Sequence, residues 1–236
     1  MKVYIVDTET TGHFEEQKQP EVIELAYAEL MRMDGAPGFG LGIVFEQRYK
    51  PTQPITFGAM ATHHILPSDL ESCSPSSEAK LPSDCTYLVG HNIDFDWKAL
   101  GSPQGVKRIC TLAMARRTWA EEQGHSLGAC LYRVLGNGAR ELLLKSHQAK
   151  ADLTNCFEVL KFFTMQGSFS SWETLWAYSE DCRIPRVWTF GKHRGKKIGA
   201  ELNGLADVGY HGWVVRQVEM DENVKKAIYK FREGTL

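Results

Sequence analysis

The chain contains 236 residues, carries a formal net charge of −2 and is 43% hydrophobic. This length suffices for one sizeable core and an additional small lobe. No apolar run is long enough for a transmembrane helix, and the near-neutral charge argues against indiscriminate coating of nucleic acid. The six cysteines form no C-x-x-C pair and no zinc-binding spacing, which predicts reduced thiols in a cytoplasmic protein. Strand-forming residues begin at once, which leaves no room for a signal peptide.

The predicted elements begin with strands and continue with alternating strands and helices. β-Branched and aromatic residues predict strands at 2–8, 21–31 and 43–50, and the glycine-rich stretch 35–42 predicts a hairpin loop. Short connections between these strands imply antiparallel pairing. The later patterns predict a helix at 57–66, a strand at 86–92, a helix at about 94–100, a strand at 108–110 leading into a helix to 119, and helices at 126–135 and 152–166. This order predicts an α/β fold with helices packed on a sheet.

The last quarter of the chain differs in composition from the rest. It contains four of the six tryptophans, and residues 189–198 predict a strand, a basic turn and a second strand, with two helical patterns after them. We therefore predict a domain at 1–167 and a small basic and aromatic lobe at 171–236. The basic residues of the turn are Lys192, Arg194, Lys196 and Lys197. Such a cluster favours contact with a polyanion, whereas a solvated turn without a partner is the alternative.

Asp7 and Glu9 form the first candidate site, at the end of the first predicted strand. Residues i and i+2 of a strand share a face, so both carboxylates point to the same side. This spacing suits the ligation of a hard cation by oxygen atoms, whereas a solvated strand end is the alternative. Thr10, Thr11 and Gly12 follow, and their small size lets a substrate backbone approach.

Asp96 is the second candidate, near the start of the helix that follows strand 86–92. An acidic residue in a first helical turn is ordinary, because the helix dipole favours it there. Asp94 is the better candidate for the N-cap, which leaves Asp96 without an evident structural role. We interpret His91 as a structural residue at the end of the strand.

His147 and Asp152 form the third and most discriminating candidate. Asp152 shares a helical stripe with Cys156, Val159, Leu160 and Phe163, and a carboxylate on an apolar stripe needs a partner. The alternative is that Asp152 is the N-cap of a helix beginning at Leu153. His147 lies about 140° around an ideal helix from Asp152. It reaches the same place only from a preceding loop, where an imidazole could take a proton from water near pH 7.

Together these motifs resemble the DEDD exonucleases, a proofreading superfamily that has an RNase H-like fold and includes the epsilon subunit of DNA polymerase III. The spacing from His147 to Asp152 is similar to that of the histidine subclass, and the resemblance covers residues 1 to about 166. Residues 59–65 resemble the substrate-side helix of the family, with His63 at its histidine position. Residues 190–196 and 210–213 resemble the lobe of the exodeoxyribonuclease X-like branch. Residues 13–19 depart from that branch, because they contain a charged insertion in a loop that contacts nucleic-acid ends in the family.

The resemblance implies stepwise 3′→5′ hydrolysis of DNA with release of nucleoside 5′-monophosphates. It implies that Asp7, Glu9, Asp96 and Asp152 hold two Mg²⁺ or Mn²⁺ ions and that His147 is the general base. We expect contacts with the nucleic acid from Thr8, Thr10, Thr11, His13, Phe14, His63, Asn92, Lys192, Arg194, Lys196 and Lys197. DNA, either single-stranded or at the 3′ end of a duplex, is the expected partner.

Three other functions stay open from the sequence. An exoribonuclease of the RNase T or oligoribonuclease type has the same catalytic residues, and only recognition of the 2′-hydroxyl separates the two enzymes. A catalytically relict nucleic-acid-binding protein is a second alternative, although the complete set of five residues argues against it. The third is a binding module centred on the tryptophan-rich lobe that does not act on phosphates.

Overall fold

The computed structural model describes residues 2–16, 18–32, 39–122, 124–144, 146–167 and 169–236. The chain divides into two compact units. The first unit contains Met1–Leu112 and Gly124–Ala177, and the second contains Ala113–Gln123 and Tyr178–Leu236. None of the helices within the described ranges is long and apolar enough to cross a membrane.

A mixed sheet forms the centre of the first unit. Its seven described strands are β1 (Lys2–Thr10), β2 (Val22–Arg32), β3 (Phe39–Leu41), β4 (Phe45–Lys50), β5 (Ser74–Pro75), β6 (Cys85–Gly90) and β7 (Lys107–Cys110). The strand order is β5-β4-β2-β1-β6-β7, and β3 pairs with β2. β1, β2 and β4 are antiparallel neighbours, whereas β1, β6 and β7 run parallel. The predicted α/β fold with an antiparallel start is thus confirmed. The predicted loop at 35–42 lies partly outside the described residues, and its described end contributes β3.

The described helices between β4 and residue 182 are α1 (Phe57–His63), α2 (Asp94–Ala99), α3 (Thr111–Thr118), α4 (Leu127–Leu135), α5 (Ala139–Leu143), α6 (Ala149–Gln166) and α7 (Trp172–Cys182). Helices α2 and α6 pack on the sheet. Ser126 caps α4 as predicted, since its hydroxyl accepts from the Ala129 N–H. α1 ends earlier than predicted because His64 adopts a left-handed conformation, with φ of 59°.

Helix α6 carries the predicted apolar stripe and packs against β1 and β2. Cys156, Val159, Leu160 and Phe163 are all buried, which confirms the stripe. The helix begins at Ala149, however, three residues before the predicted start. Asp152 therefore lies within the first turn, and the alternative that it is the N-cap of the helix is wrong.

The turn from β6 into α2 depends on a glycine. A Cβ atom at Gly90 would lie 2.7 Å from Cδ1 of Ile93 and 3.3 Å from the Val6 carbonyl oxygen. Only glycine lets the chain pass this close to β1. Because β1 and β6 are parallel neighbours, the residues that follow β6 emerge at the edge of the sheet where β1 ends.

The second unit has its own core, and its C-terminal part contains the helices α8 (Val208–Arg216) and α9 (Glu222–Arg232), as the sequence predicted. Trp188, Ile198, Val214, Ala227 and Ile228 form the centre of this core. The predicted strand–turn–strand at 189–198 was wrong. The structure has a single antiparallel bridge between Val187 and Lys197 and a short 3₁₀ turn at Gly191–His193. Three glycines with positive φ, at 191, 195 and 199, interrupt the extended conformation that a strand ladder requires.

Candidate active site

Three carboxylates from distant parts of the first unit meet at the end of β1. Asp7 and Glu9 lie on one face of β1, and Asp152 comes from the first turn of α6. One carboxylate oxygen of each lies within 4.8 Å of the other two. The two acids of the strand and the acid of the helix, predicted separately from the sequence, therefore form one group. We call Asp7, Glu9 and Asp152 the carboxylate cluster.

Asp96 lies beside this cluster and is held by β1. Its Oδ1 accepts hydrogen bonds from the Thr8 N–H at 3.0 Å and from the Thr8 hydroxyl at 2.7 Å, and the residue is buried. Asp94 is not the N-cap that the sequence favoured. It is the first helical residue, after Ile93, and forms an ion pair with Arg108. Asp96 thus fixes the start of α2 against β1, and its charge raises the pKa of Asp7.

Four acidic side chains accumulate here. Burial raises the pKa of Asp7, Asp96 and Asp152, and it raises the pKa of Glu9 to about 8 with help from the charge of Asp152. Among the described residues, no Lys, Arg or His side chain forms an ion pair with Asp7 or Glu9. Buried charges of one sign are costly unless a partner neutralises them. A divalent cation with a preference for oxygen ligands fits this set of donors.

His147 lies in the loop before α6, as the sequence required. It has a left-handed backbone with φ of 64°, and its side chain is exposed. Its backbone N–H donates to Oδ2 of Asp152 at 3.0 Å, and Asn155 Nδ2 donates to Oδ1 at 3.3 Å. Burial raises the pKa of Asp152, and the hydrogen bonds from the His147 N–H and Asn155 oppose this shift. The structure therefore places His147, with an exposed side chain, beside the carboxylate cluster.

Glu24 is a buried residue of this region that the sequence analysis missed. It lies on β2 opposite Glu9 and is only 3% exposed. Its Oε2 accepts from the Ala149 N–H at 2.9 Å, and its Oε1 accepts from Arg48 Nε at 2.8 Å. Glu24 therefore satisfies the first N–H of α6 and holds the helix that carries Asp152. The only signal in the sequence was an acidic residue between Ile23 and Leu25.

The three threonines predicted to contact nucleic acid are buried, and their hydroxyls bond within the chain. Thr8 donates to Asp96, and Thr10 donates to the Gly12 carbonyl at 2.7 Å. The Thr11 hydroxyl accepts from the Glu21 N–H at 3.0 Å. The three hydroxyls therefore stabilise the backbone and Asp96 around the site. Their contact with nucleic acid remains a prediction.

His63, at the end of α1, is also buried. Its Nδ1 accepts from the Ile65 N–H at 3.0 Å, so Nε2 carries the proton of the neutral ring. Nε2 is buried and makes no hydrogen bond to the described residues. Burial lowers the pKa of His63, although the Thr10 backbone opposes this shift. Burial thus favours the neutral ring, whose buried Nε2–H has no hydrogen-bond partner among the described residues.

An exposed aromatic group lies at the start of α2. His13 and Phe14 both pack edge-on against Phe95, with ring centroids 6.1 and 5.3 Å apart. Asn92 is exposed and has a positive φ of 69° at the turn that precedes α2. The predicted contacts His13, Phe14 and Asn92 therefore all border the helix that carries Asp96.

The four basic residues of the predicted turn lie in the second unit and fall into two pairs. Lys192 Nζ forms an ion pair with Asp207 at 2.7 Å, and Lys196 Nζ donates to the Glu201 carbonyl at 2.9 Å. Arg194 and Lys197 are exposed, and their side chains have no partner in the described part of the chain. Two of the four charges are thus balanced or tethered internally, and two are free.

Comparisons with known proteins show a family for this chain and similar folds. The sequence profile of the RNase T exonuclease family matches residues 4–160. The fold is similar to Exonuclease X in complex with 5′-overhanging duplex DNA, with a TM-score of 0.53 and 24% identity over 75% of this chain and 99% of that one. It is also similar to E. coli Exonuclease I with a dA16 oligonucleotide, with a TM-score of 0.53 and 16% identity over 75% of this chain and 42% of that one. A search of curated protein sequences gave no match.

Proposed function

The chain belongs to the RNase T exonuclease family, and on this premise we propose that it removes nucleotides from the 3′ end of DNA and releases nucleoside 5′-monophosphates. The predicted resemblance to the DEDD exonucleases and the predicted RNase H-like fold are both confirmed. One observation carries the proposal. Carboxylates of Asp7, Glu9 and Asp152 converge within 4.8 Å, and no Lys, Arg or His side chain of the described chain forms an ion pair with Asp7 or Glu9.

Four residues would hold the metal ions in this proposal: Asp7, Glu9, Asp96 and Asp152. Two divalent ions, Mg²⁺ or Mn²⁺, suit a site built only from carboxylate oxygens. When bound, they supply an activated water and stabilise negative charge on the leaving 3′ oxygen. Asp96 keeps one oxygen on Thr8, so its other oxygen is the one available to a cation. The hydrogen bonds from Thr8 therefore fix the position of Asp96, a proposed metal ligand, relative to β1.

His147 would take the proton from the attacking water on a ring nitrogen. Its exposed side chain allows contact with solvent, and its backbone N–H is fixed by Asp152. The position of the base is therefore coupled to the carboxylate beside it, while the ring itself keeps rotational freedom. A general base of this kind contributes about 10² to 10⁴ in rate.

The exposed rings of His13 and Phe14 would contact the terminal bases. Phe95 supports both rings from behind, so they present a preformed surface next to α2. Stacking on aromatic rings tolerates any base, which suits an enzyme that degrades DNA of every sequence. Asn92 and the N–H of His63 would supply polar contacts, and Thr8, Thr10 and Thr11 would act through their backbone.

DNA is favoured over RNA by the two similar structures, which are complexes with DNA. An exoribonuclease remains the second candidate, because the predicted catalytic residues do not distinguish the two substrates. The difference depends on recognition of the 2′-hydroxyl. A relict binding protein is disfavoured by the intact carboxylate cluster.

The test uses end-labelled single-stranded DNA and RNA oligomers with Mg²⁺, Mn²⁺ or EDTA, with products separated by length. We expect DNA to shorten in steps of one nucleotide with either metal and to stay intact in EDTA. Asp152→Ala should abolish cleavage. Glu158→Ala, a control on the same helix that removes the ion pair with Lys161, should leave cleavage intact. Cleavage in EDTA, or normal turnover by Asp152→Ala, would refute the proposal.

A further inference from the structure

The basic turn of the second unit, at residues 191–197, packs against the side chain of Tyr210 on α8. The turn passes so close to this ring that a Cβ atom at Gly191 would collide with the Tyr210 hydroxyl. The rings of His193 and Trp188 approach Tyr210 edge-on, with centroids 4.9 and 5.0 Å away. Tyr210 is therefore held in one orientation by the backbone and by two buried rings.

A row of three side chains runs outward from this point. Lys192 Nζ lies 5.1 Å from the centroid of the Tyr210 ring. On α8, Tyr210 stacks on Trp213 with centroids 5.6 Å apart and an interplanar angle of 24°. The Lys192 side chain is 60% exposed and Trp213 is 46% exposed. This Lys–Tyr–Trp row therefore presents a cation and an open indole to solvent.

The rest of the unit supports the row. Glu201 is only 1% exposed and accepts hydrogen bonds from Trp188 Nε1, the Gly199 N–H and Nε2 of His211. Asp207 caps α8 and bonds to both Lys192 and His193. The carboxylates of Glu201 and Asp207 therefore bond to groups of the second unit and hold the basic turn in place.

The balance of charge in the second unit favours an anionic ligand. This unit has 13 Lys and Arg residues against 10 Asp and Glu, whereas the first unit has 14 against 19. Arg194 and Lys197 add two exposed cations whose side chains have no partner in the described ranges. A cationic surface with an exposed aromatic ring is the arrangement by which proteins bind single strands.

We propose that the Lys–Tyr–Trp row, with Arg194 and Lys197, is a second, non-catalytic site that binds single-stranded nucleic acid. One base stacks on the indole of Trp213, and Arg194 and Lys197, the two cations without an internal partner among the described residues, contact the phosphates. We expect a duplex to bind this site more weakly, because its bases are already stacked on each other and cannot stack on Trp213. The inference concerns binding by the second unit and goes beyond the hydrolysis proposed for the carboxylate cluster.

The first test measures the affinity of the 236-residue chain for a fluorescent dT oligomer by anisotropy, in EDTA so that no hydrolysis occurs. Trp213→Ala should weaken binding by about 5-fold to about 100-fold, the range for loss of one stacked base. Trp213→Phe should retain most of the affinity. Tyr229→Ala is the matched control, since Tyr229 is also 46% exposed and lies on α9 of the same unit.

The second test follows the same affinity as a function of salt. Arg194→Ala combined with Lys197→Ala should reduce the slope of log K against log salt by up to about 1.4, or about 0.7 for each lost phosphate contact on a single strand. The control variant combines Lys226→Ala with Arg232→Ala, which remove two exposed basic side chains of α9. Parallel titrations with an rU oligomer and with a DNA duplex separate the two single-stranded ligands from double-stranded DNA.

Circular dichroism and thermal melting establish that each variant is folded. Equal affinity of Trp213→Ala and Tyr229→Ala for dT would overturn the inference, as would an unchanged salt slope in the Arg194 and Lys197 variant. Tighter binding of duplex than of dT would also overturn it. Because these experiments measure binding without metal, their failure is distinguishable from failure of the proposed nuclease activity.

Discussion

Asp7 and Glu9 end β1 with their carboxylates against that of Asp152, and Asp96 adds a fourth charge nearby. This geometry favours a cation and disfavours the metal-free state, because like charges repel in a buried setting. The same residues that create the candidate function therefore lower the stability of the apo protein. This conflict can be measured at single positions.

The first prediction concerns Asp7→Asn. The change removes a proposed metal ligand, so nuclease activity should be lost. It also removes one of the repelling charges, so the melting temperature in EDTA should stay equal or rise. Glu71→Gln, at an exposed position of the first unit, is the control and should change neither quantity. Normal turnover by Asp7→Asn, or a marked fall in its melting temperature in EDTA, would contradict this assignment.

The second prediction concerns His147→Ala. Turnover should fall by about 10² to 10⁴, the usual effect of losing a general base. Metal affinity should change little, since only the backbone N–H of His147 bonds to Asp152 and the substitution keeps it. Metal titration by calorimetry, alongside single-turnover kinetics, measures both quantities. A loss of metal affinity as severe as that of Asp152→Ala would show that the imidazole is a ligand instead.

Several of these residues were accessible from the sequence because their signal is local. The i, i+2 pair on β1 and the stripe on α6 need only the periodicity of one element. Glu24 was missed because its partner, the Ala149 N–H, lies 125 residues away in sequence. The role of Asp96 in bonding to Thr8 was missed for the same reason, since 88 residues separate them.

At the scale of elements, the start of α6 positions the site. Gln148 offers no side-chain cap, and the Ala149 N–H bonds instead to Glu24 on β2. This contact lets the helix begin early enough for Asp152 to stand in its first turn, next to the loop of His147. Glu24 thus acts on the carboxylate cluster through the position of the helix.

The third prediction tests this role of Glu24 with Glu24→Ala. Leaving the buried Ala149 N–H without an acceptor should lower the free energy of unfolding by about 1 to 3 kcal/mol. Displacement of Asp152 and His147 should reduce kcat by about 10-fold to about 100-fold. Glu24→Gln, whose amide oxygen can still accept this hydrogen bond, should restore most of the turnover.

The matched control for Glu24 is Glu46→Ala. Glu46 lies on β4, and its side chain is 38% exposed and 4.0 Å from Lys150 of α6. Its removal should leave both the stability and kcat close to wild type, since exposed ion pairs contribute little. If Glu46→Ala and Glu24→Ala had equal effects, the helix start would not depend on the buried contact.

Prediction of elements worked best where buried residues form a run or a stripe. β1, β2, β6 and α6 contain such runs or stripes, and the structure confirms them, and β4, within a few residues. The segment 189–198 failed because its apolar residues serve a lobe core rather than one face of a strand. Trp188 and Ile198 are buried at its ends, while glycines with positive φ bend the chain between them.

At the scale of the whole molecule, the two units differ in charge and in what their buried acids do. In the first unit, burial raises the pKa of Asp7, Glu9 and Asp152, the three acids of the carboxylate cluster. In the second unit, burial alone would raise the pKa of Glu201. Hydrogen bonds from His211, the Gly199 N–H and Trp188 outweigh it and lower that pKa to about 2. The carboxylate cluster of the first unit thus favours a bound cation, whereas Glu201 of the second unit already has hydrogen-bond donors within the chain.

The fourth prediction follows from the lowered pKa of Glu201. A folded-state pKa below the unfolded value of about 4.3 gives stability that is present above that pH and is lost as pH falls toward 2. Glu201→Gln should be less stable at pH 7 and should lose less stability between pH 5 and pH 2.5. Denaturant unfolding followed by tryptophan fluorescence measures the difference. An equal pH dependence in both proteins would contradict the assigned hydrogen bonds.

The order in which nucleotides leave a labelled strand tests the central claim most directly. Two copies of one single-stranded DNA oligomer, labelled at the 5′ or at the 3′ end, are incubated with the protein and Mg²⁺ in a time course. We expect the 3′ label to leave first as a mononucleotide, while the 5′-labelled strand shortens one nucleotide at a time. Early release of the 5′ label, or large internal fragments from either strand, would contradict 3′→5′ exonuclease action by the carboxylate cluster.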